Sequence, residues 1–381
     1  MSAERQLRAT QVVPCLPLGS EAVGSYALQL GRRLAEPPGD GRPITVSYLA
    51  AAATDGEEPP AATTDPCRAL RHRAAEALVE ALERDRTDTA LLHYSAYGFH
   101  PRGCPEWLVR GIRQWRTAAP ERRLVLLFHE VYATGPPWRS SFWLAPRQKR
   151  LARALAEGSD HAVTTTKLYA DLVRGLFGRR GVPVQPLVLP VFSAIGEPEE
   201  ESVRPLAARR RRLVVFGGAG PRARAWRERR RDLEAACRAL RVDEVLDLGS
   251  GDGLAGPPAE LAGRPVRVLG RVPAPEVRSI LLDSMAGFLA YPPELLGKST
   301  VFAAYCSHGL VPICSPWGGR RGRGEAATTG TLWWRPTTGH VPDERTLQTI
   351  ADRAHAWYRQ HRLEAQSAIF RRLLVEGAEE R

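Results

Sequence analysis

Short apolar runs alternate with longer amphipathic stretches along nearly the whole chain, and this alternation restricts the fold more than any other feature. In the first half, Gln11–Cys15, Ile44–Leu49, Thr89–Tyr94, Leu124–Phe128, Ala162–Thr165 and Pro186–Val191 read as strands. Between them Glu21–Leu34, Arg68–Glu83, Pro105–Thr117, Phe142–Ala156 and Leu168–Phe177 read as helices. Within Phe142–Ala156, Leu144, Leu151 and Leu155 recur at the steps that one helix face requires. Strands alternating with helices predict a parallel sheet covered on both faces, since each parallel crossover needs a returning helix.

The pattern halts at Gly196–Arg212 (GEPEEESVRPLAARRRR), where prolines, an acidic run and a basic run displace apolar residues. The stretch reads as a linker; a long surface loop inside one domain is the alternative. Alternation resumes with strands at Leu213–Phe216, Glu244–Leu248, Val266–Leu269, Gly287–Tyr291 and Leu310–Cys314. Helices are predicted at Ala225–Leu240, Pro275–Ser284 and Ser299–Ser307, and one long closing helix over Asp343–Leu374. With 381 residues the chain exceeds what one core usually holds, so two doubly wound domains are expected, at 1–195 and 213–342. The linker is 196–212, and the segment 343–381 either crosses back to the first domain, packing Trp357, Tyr358 and Phe370 there, or ends the second.

Composition narrows the function classes. Six scattered cysteines without a C-x-x-C pair argue against a zinc ribbon or a disulfide framework and fit a reducing cytosol. The polar start Met1–Thr10 lacks a signal-peptide core, and no apolar run reaches the ~18 residues of a membrane-spanning helix. A soluble or at most peripheral protein is expected. The formal charge of +12 comes almost entirely from arginine. It reflects either a compositional bias or an anionic partner: a nucleotide diphosphate, an anionic membrane or a nucleic acid.

In open parallel sheets ligands bind beyond the carboxyl ends of the strands, so the loops there carry the candidates. The first, Pro14–Gly24, brings Gly19 and Gly24 before a helix, a place where backbone can approach an anion; it is equally a plain turn. The second, from His93 and Tyr94 through Tyr97 to His100, offers rings for stacking on a sugar, or simply packs. The third sets His129 and Glu130 directly after an apolar strand, where ionisable groups are costly unless used or paired. His129 is suited to orient or polarise a hydroxyl and Glu130 to act as base; a satisfied structural histidine is the alternative.

In the second half Gly217, Gly218 and Gly220 with Arg222 follow a strand and suit phosphate oxygens, unless Arg222 faces solvent. The run Tyr291–Thr300 ends in Gly-Lys-Ser-Thr, but Pro292 stands where a P-loop demands its first glycine, and proline has no N–H for a phosphate. An NTPase is therefore excluded. Lys298, Ser299 and Thr300 at a helix N-terminus still make a diphosphate site; a plain N-cap beside a solvent lysine is the alternative.

With these stretches in hand, the chain resembles the bacterial GT-B glycosyltransferases, in the broad class of family 4. The likeness rests on Gly19–Leu30, His129-Glu130, the run from Gly270-Arg271-Val272-Pro273 to Ser284, and Leu289–Ile313 with Gly309–Pro312. The resemblance implies two Rossmann-like domains facing across a cleft. An N-terminal domain would hold a saccharide or lipid-linked acceptor, and a C-terminal domain a UDP-, GDP- or dTDP-sugar. It implies hexosyl transfer without metal or cofactor, with retention, in polysaccharide or glycolipid assembly, by a protein with no nucleic-acid partner that is either cytoplasmic or peripheral at the inner face of the membrane. By position His129 resembles the histidine near the reacting sugar, Arg222 and Lys298 the basic pair facing the diphosphate, and Glu294 the first of a paired-glutamate motif. The partner of Glu294 would fall at Phe302, a departure from the family pattern. Two rivals remain open: a GT-B epimerase or degenerate sugar-binding subunit, distinguished by nucleotide diphosphate release, and a basic nucleic-acid-binding protein, distinguished by salt-sensitive binding.

Overall fold

The computed structural model describes residues 6–15, 22–37, 42–52, 66–178, 181, 185–249, 256–317, 331–336 and 341–375. The chain divides into two compact units, 1–190 together with 363–381, and 191–362.

The first unit holds strands β1 (Leu7–Val13), β2 (Ile44–Ala50), β3 (Cys67–Ala69), β4 (Thr89–Tyr94), β5 (Arg123–Phe128), β6 (His161–Thr164) and β7 (Leu187–Val188). They form one parallel sheet in the order β3-β2-β1-β4-β5-β6-β7. Its helices are α1 (Ala22–Ala35), α2 (Ala75–Arg84), α3 (Ala96–Phe99), α4 (Glu106–Thr117), α5 (Ser140–Glu157) and α6 (Lys167–Gly175). Every residue of β4 is buried, as a central strand covered on both faces demands. Leu78, Leu108, Trp115, Leu126 and Phe128 fill the core on one side of the sheet. Each such side chain stabilises the fold by about 1.5–3 kcal/mol relative to exposure.

The second unit holds β8 (Arg210–Phe216), β9 (Glu244–Leu248), β10 (Glu260–Leu261), β11 (Arg264–Gly270), β12 (Ser284–Tyr291) and β13 (Val311–Pro316), in the order β10-β11-β9-β8-β12-β13. Only the two-residue β10 runs antiparallel to its neighbour. The helices are α7 (Ala219–Ala223), α8 (Arg230–Leu240), α9 (Ala274–Leu282), α10 (Thr300–Ser307) and α11 (Glu344–Arg359). In both sheets the chain winds outward from the first strand one way and then the other. The order therefore reverses between β1 and β4 in one unit and between β8 and β12 in the other.

The structure differs from expectation in several places. Residues 67–69 form an edge strand rather than the start of a helix, and that helix begins at Ala75. The helix expected over Ala225–Leu240 is instead α7, a wider π turn at Arg224–Glu228, and α8. The expected linker overlaps β8, which starts at Arg210. Two arginines of that basic run are buried: Arg209 donates to the carbonyls of Arg204 (2.8 Å) and His308 (2.8 Å), and Arg212 pairs with Glu244 (2.6 Å).

The closing segment is two helices, α11 and α12 (Leu363–Val375), because a turn interrupts it at 360–362. Trp357 packs on Phe302 and His361 within the second unit, and Tyr358 donates to Glu197 there. Trp357 and Tyr358 therefore pack in the second unit, not in the first. Phe370 lies on α12, whose Arg371 donates to the Leu34 carbonyl (2.6 Å) at the end of α1 in the first unit.

Candidate functional site

In the first unit the carboxyl ends of β4 and β5 bring His93 and His129 together. Their rings stack at 5.4 Å, with His93 Nδ1 3.1 Å from His129 Nε2. Partners fix the protons. The Gln11 amide donates from Nε2 to the Ala27 carbonyl (3.0 Å), so its Oε1 faces His93 Nε2 at 2.7 Å and accepts from it. Neutral His93 then carries its proton on Nε2, and its Nδ1 accepts from His129 Nε2–H. His129 is held as the Nε2–H tautomer, with Nδ1 its accepting nitrogen. Burial, followed by the electrostatic effect of the neighbouring His129, holds His93 well below the ordinary histidine range, so His93 stays neutral.

Tyr26 stands edge-on to both rings, at 6.0 Å from His93 and 5.5 Å from His129. Its hydroxyl donates to Gln366 Oε1, and Gln366 Nε2 donates to the Pro190 carbonyl (2.6 Å). Glycine at position 31 lets α1 lie close enough for this: a Cβ there would sit 2.2 Å from Gln11 Nε2 and 2.1 Å from the Tyr48 hydroxyl.

The other first-half candidates separate. Glu130 accepts from Ser95 Oγ at 3.4 Å, and its amide, like that of His129, donates to the Tyr94 carbonyl. Tyr94 itself is turned to the opposite face of β4, because side chains alternate along a strand, and packs edge-on to Phe128 at 5.5 Å in the core. That corrects its reading as an acceptor contact. Tyr97, 41% exposed on α3, accepts from Gln148 Nε2 (3.2 Å). Gly24 lies inside α1 and is buried, not in the loop before it. Gly19 lies outside the described residues.

In the second unit the loops after β8 and β12 flank the order reversal. Gly218 caps α7, whereas the left-handed conformation falls on Gly217 (φ +126°), where a Cβ would meet Val301 Cγ2 at 2.8 Å. The glycine loop thus lies against the start of α10. Gly249, after β9, has φ +143°, and a Cβ there would be 1.9 Å from the Gly217 carbonyl oxygen. Arg222 does not face solvent. Its Nε and Nη2 donate to the carboxylate of Asp247 (3.1 and 2.8 Å), which also accepts from the Trp226 indole (2.7 Å).

Glu294 and Lys298 belong to a 3₁₀ turn over Pro293–Lys298 that delivers the chain to α10. Ser299 is the N-cap, accepting from the Phe302 amide at 3.2 Å. Its side-chain oxygen is thereby engaged, and the Thr300 and Val301 amides are the first-turn donors that remain. From α10, Tyr305 lies over Gly287 and places its hydroxyl between β8 and β12, accepting from Phe216 N (3.0 Å) and donating toward the Val214 and Phe288 carbonyls (each 3.2 Å). It satisfies the backbone where the two strands part. Gln11, Tyr26, Gln366, Asp247 and Trp226 were not singled out from the sequence; a polar residue inside an apolar strand, as at Gln11 and Asp247, was the available signal.

Solved structures share the fold that carries these loops. One is an alpha-glucosyltransferase in complex with UDP-glucose and DNA containing an abasic site, 10% identical, the alignment covering 97% of this chain and 100% of that one with a TM-score of 0.57. Another is a glycosyltransferase from Rickettsia africae ESF-5, 11% identical, with 98% and 100% covered and a TM-score of 0.56. A third is S. aureus MnaA with UDP, 8% identical, with 97% and 96% covered and a TM-score of 0.54. The chain has the GT-B fold. No protein-family model and no curated protein sequence matches it.

Within this GT-B fold, Phe302 is a core residue packed on Trp357 at 5.5 Å, so the position of a second glutamate is filled by an apolar contact. Among the described residues no group of three or more His, Cys, Asp or Glu side chains is placed to hold a metal ion. A groove of about 650 Å³ between α4 and α5, lined by Ile112, Arg116, Leu124, Leu151 and Leu155, opens at the amino-terminal edge of the first sheet. It includes none of the candidate residues.

Proposed function

We propose that the chain is a metal-independent glycosyltransferase that moves a hexosyl group, with retention, from a nucleotide-diphosphate sugar to a saccharide or lipid-linked acceptor. The observation that carries this reading is the placement of the chemistry. In the second unit Arg222 and Lys298 follow β8 and β12, the strands that flank the order reversal, where open α/β sheets bind ligands; in the first, His93 lies on β4, which flanks it, and His129 and Glu130 follow the next strand, β5. UDP or UDP-glucose in the similar solved structures makes a UDP-sugar the first donor to try.

In this reading the second unit holds the donor. Lys298 and the Thr300 and Val301 amides at the start of α10 receive the diphosphate as the bond from the sugar breaks, so that its charge develops against fixed donors. Arg222 acts through Asp247 and the glycine loop, as a positioning residue. The first unit receives the acceptor, whose hydroxyl forms the new bond to the anomeric carbon and loses its proton. His129, with its tautomer set by His93 and Gln11, orients the reacting hydroxyl, and Glu130 lies beside it as the acid-base candidate. Family 4 membership is the finer form of the same proposal.

A thermal-shift screen across nucleotide sugars tests the reading, since a donor at a hundred times its Kd stabilises the fold by about 2.7 kcal/mol. No shift with any UDP-, GDP- or dTDP-sugar, and no nucleotide diphosphate released with saccharide or lipid acceptors, removes it. With the donor identified, Lys298→Ala weakens donor binding in calorimetry by roughly tenfold to a hundredfold, the loss of one charge-assisted contact. His129→Ala lowers turnover by about a hundredfold while donor affinity stays within roughly twofold. Equal losses in both quantities would assign His129 to binding instead.

A further inference from the structure

The helix that follows His129-Glu130 begins with an aromatic cluster that nothing in the first unit covers. Trp138 is 83% exposed, Trp143 73% and Phe142 42%. Large apolar side chains exposed singly need no explanation, but three within six residues form a patch. The patch is ordered. Phe142 and Trp143 pack edge to face at 5.4 Å and 85°, and the Trp143 indole N–H donates to the Pro137 carbonyl at 2.9 Å. With its one polar group satisfied inside the chain, the Trp143 ring can leave water without stranding a donor.

Charge along this segment has one sign. From Val131 to Ala156 the sequence has no Asp or Glu, but it has Arg139, Arg147, Lys149, Arg150 and Arg153. Trp143, Arg147 and Arg150 follow at helical spacing on the exposed side of α5. Arg147 pairs with Glu106 (2.7 Å) and Arg153 with Glu157 (2.8 Å). Among the described residues, Arg139 and Arg150 have no carboxylate within ion-pair distance, and Lys149 lies over the Tyr132 ring at 4.9 Å. Aromatic rings at one end of a helix with unpaired basic side chains beside them are the pattern of a segment lying in the interface of an anionic bilayer.

We propose that Trp138, Phe142 and Trp143, with Arg139, Lys149 and Arg150, form a docking surface for an anionic lipid bilayer. A single-stranded nucleic acid fits less well, because bases stack on parallel ring faces and Phe142 and Trp143 stand perpendicular to each other. The surface goes beyond the transferase reading and does not depend on it. It lies at the start of α5, nine residues after His129, on the same edge of the first sheet as the histidine pair. If that reading also holds, an acceptor carried in a membrane would be presented at that edge.

The test is co-sedimentation of the full chain with vesicles of phosphatidylcholine alone or mixed with phosphatidylserine at roughly three to one. Binding to the mixed vesicles at low salt, falling as salt rises, is expected. Trp138→Ser with Trp143→Ser weakens it by about tenfold or more, and Arg139→Glu with Arg150→Glu by about twentyfold or more, at roughly fivefold per charge. The exposed Arg230→Glu on α8 is the control and leaves binding unchanged, and the thermal midpoints of all variants stay at the parent value. Quenching of tryptophan emission by brominated lipid, lost in the tryptophan double variant, is the second readout. The proposal is overturned by absent vesicle binding, by binding that ignores both double variants, or by preference for a single-stranded oligonucleotide over vesicles. A dimer that the tryptophan substitutions convert to monomer, without vesicle binding, would instead assign the patch to a second copy of the chain.

Discussion

Replacing Asp247 with alanine is expected to lower the unfolding free energy of the unit 191–362 by about 3–5 kcal/mol, the cost of breaking a buried ion pair from one side. The Asp247 carboxylate is fully buried, and three donors converge on it: Nε and Nη2 of Arg222 and the Trp226 indole. Removing it takes the shared carboxylate away from a guanidinium whose side chain is only 11% exposed and from an indole N–H. The mirror substitution, Arg222→Ala, leaves a carboxylate in the same dry surroundings and has an effect of similar size. Because the two changes remove one interaction, the double variant is destabilised by less than their sum, with a coupling of about 1–3 kcal/mol. Urea denaturation followed by tryptophan emission reads all three. Single variants within about 1 kcal/mol of the parent would mean that the cluster is not a supporting element of the glycine loop.

The same cluster shows what sequence reasoning reaches. Thr89–Tyr94 and Glu244–Leu248 were legible from end to end, because a central parallel strand is written as one apolar run. Cys67–Ala69 and Glu260–Leu261 were not, since an edge strand of two or three residues carries no periodicity. The break before α8 was hidden as well. Arg229 leaves helical geometry (φ −118°) just after the π turn that carries Trp226, and it is the turn of Trp226 toward Asp247, a tertiary contact, that accompanies the break.

His129 and Lys298 stood out because ionisable groups at strand ends are conspicuous. Their surroundings did not. Gln11 meets His93 across 82 residues and Tyr26 meets Gln366 across 340, separations at which only the folded sheet sets proximity. Arg222 was visible as a cation beside glycines, but its engagement by Asp247 required knowing that β8 and β9 are neighbours. Spacing finds the loops; topology decides what the side chains on them meet.

Acid sensitivity follows from two further buried side chains of the second unit. His308 is fully buried at the end of α10, with Nδ1 2.8 Å from the Ala304 carbonyl and from Ser307 Oγ, and with Nε2 lacking an acceptor among the described residues. Burial pushes its pKa down to about 4 against the opposing pull of the Ala304 carbonyl, and the Arg278, Arg209 and His355 charges add to the depression. His361, wedged against Trp357 (4.3 Å) and Tyr358 (5.3 Å), is pushed down to about 4 by burial as well. In the unfolded chain both titrate near 6.5. Between those values the unfolded state binds the protons and the folded state does not, so stability is complete above about pH 6.5 and falls as pH drops toward 4. By pH 5 each histidine costs about 2 kcal/mol, and the pair about 4 kcal/mol. Glu244, whose pKa burial raises but Arg212 and Arg267 together bring below its ordinary value, loses its contribution only below the ordinary carboxylate range, so the histidine window stands apart. Denaturation midpoints at pH 7.5, 6 and 5 measure the effect. His308→Asn, which cannot take up the proton, should remove about 2 kcal/mol of the loss between pH 7.5 and 5, whatever its effect on stability at neutral pH. A midpoint unchanged from pH 7.5 to 5 in the parent chain would show that neither imidazole is held neutral by the fold.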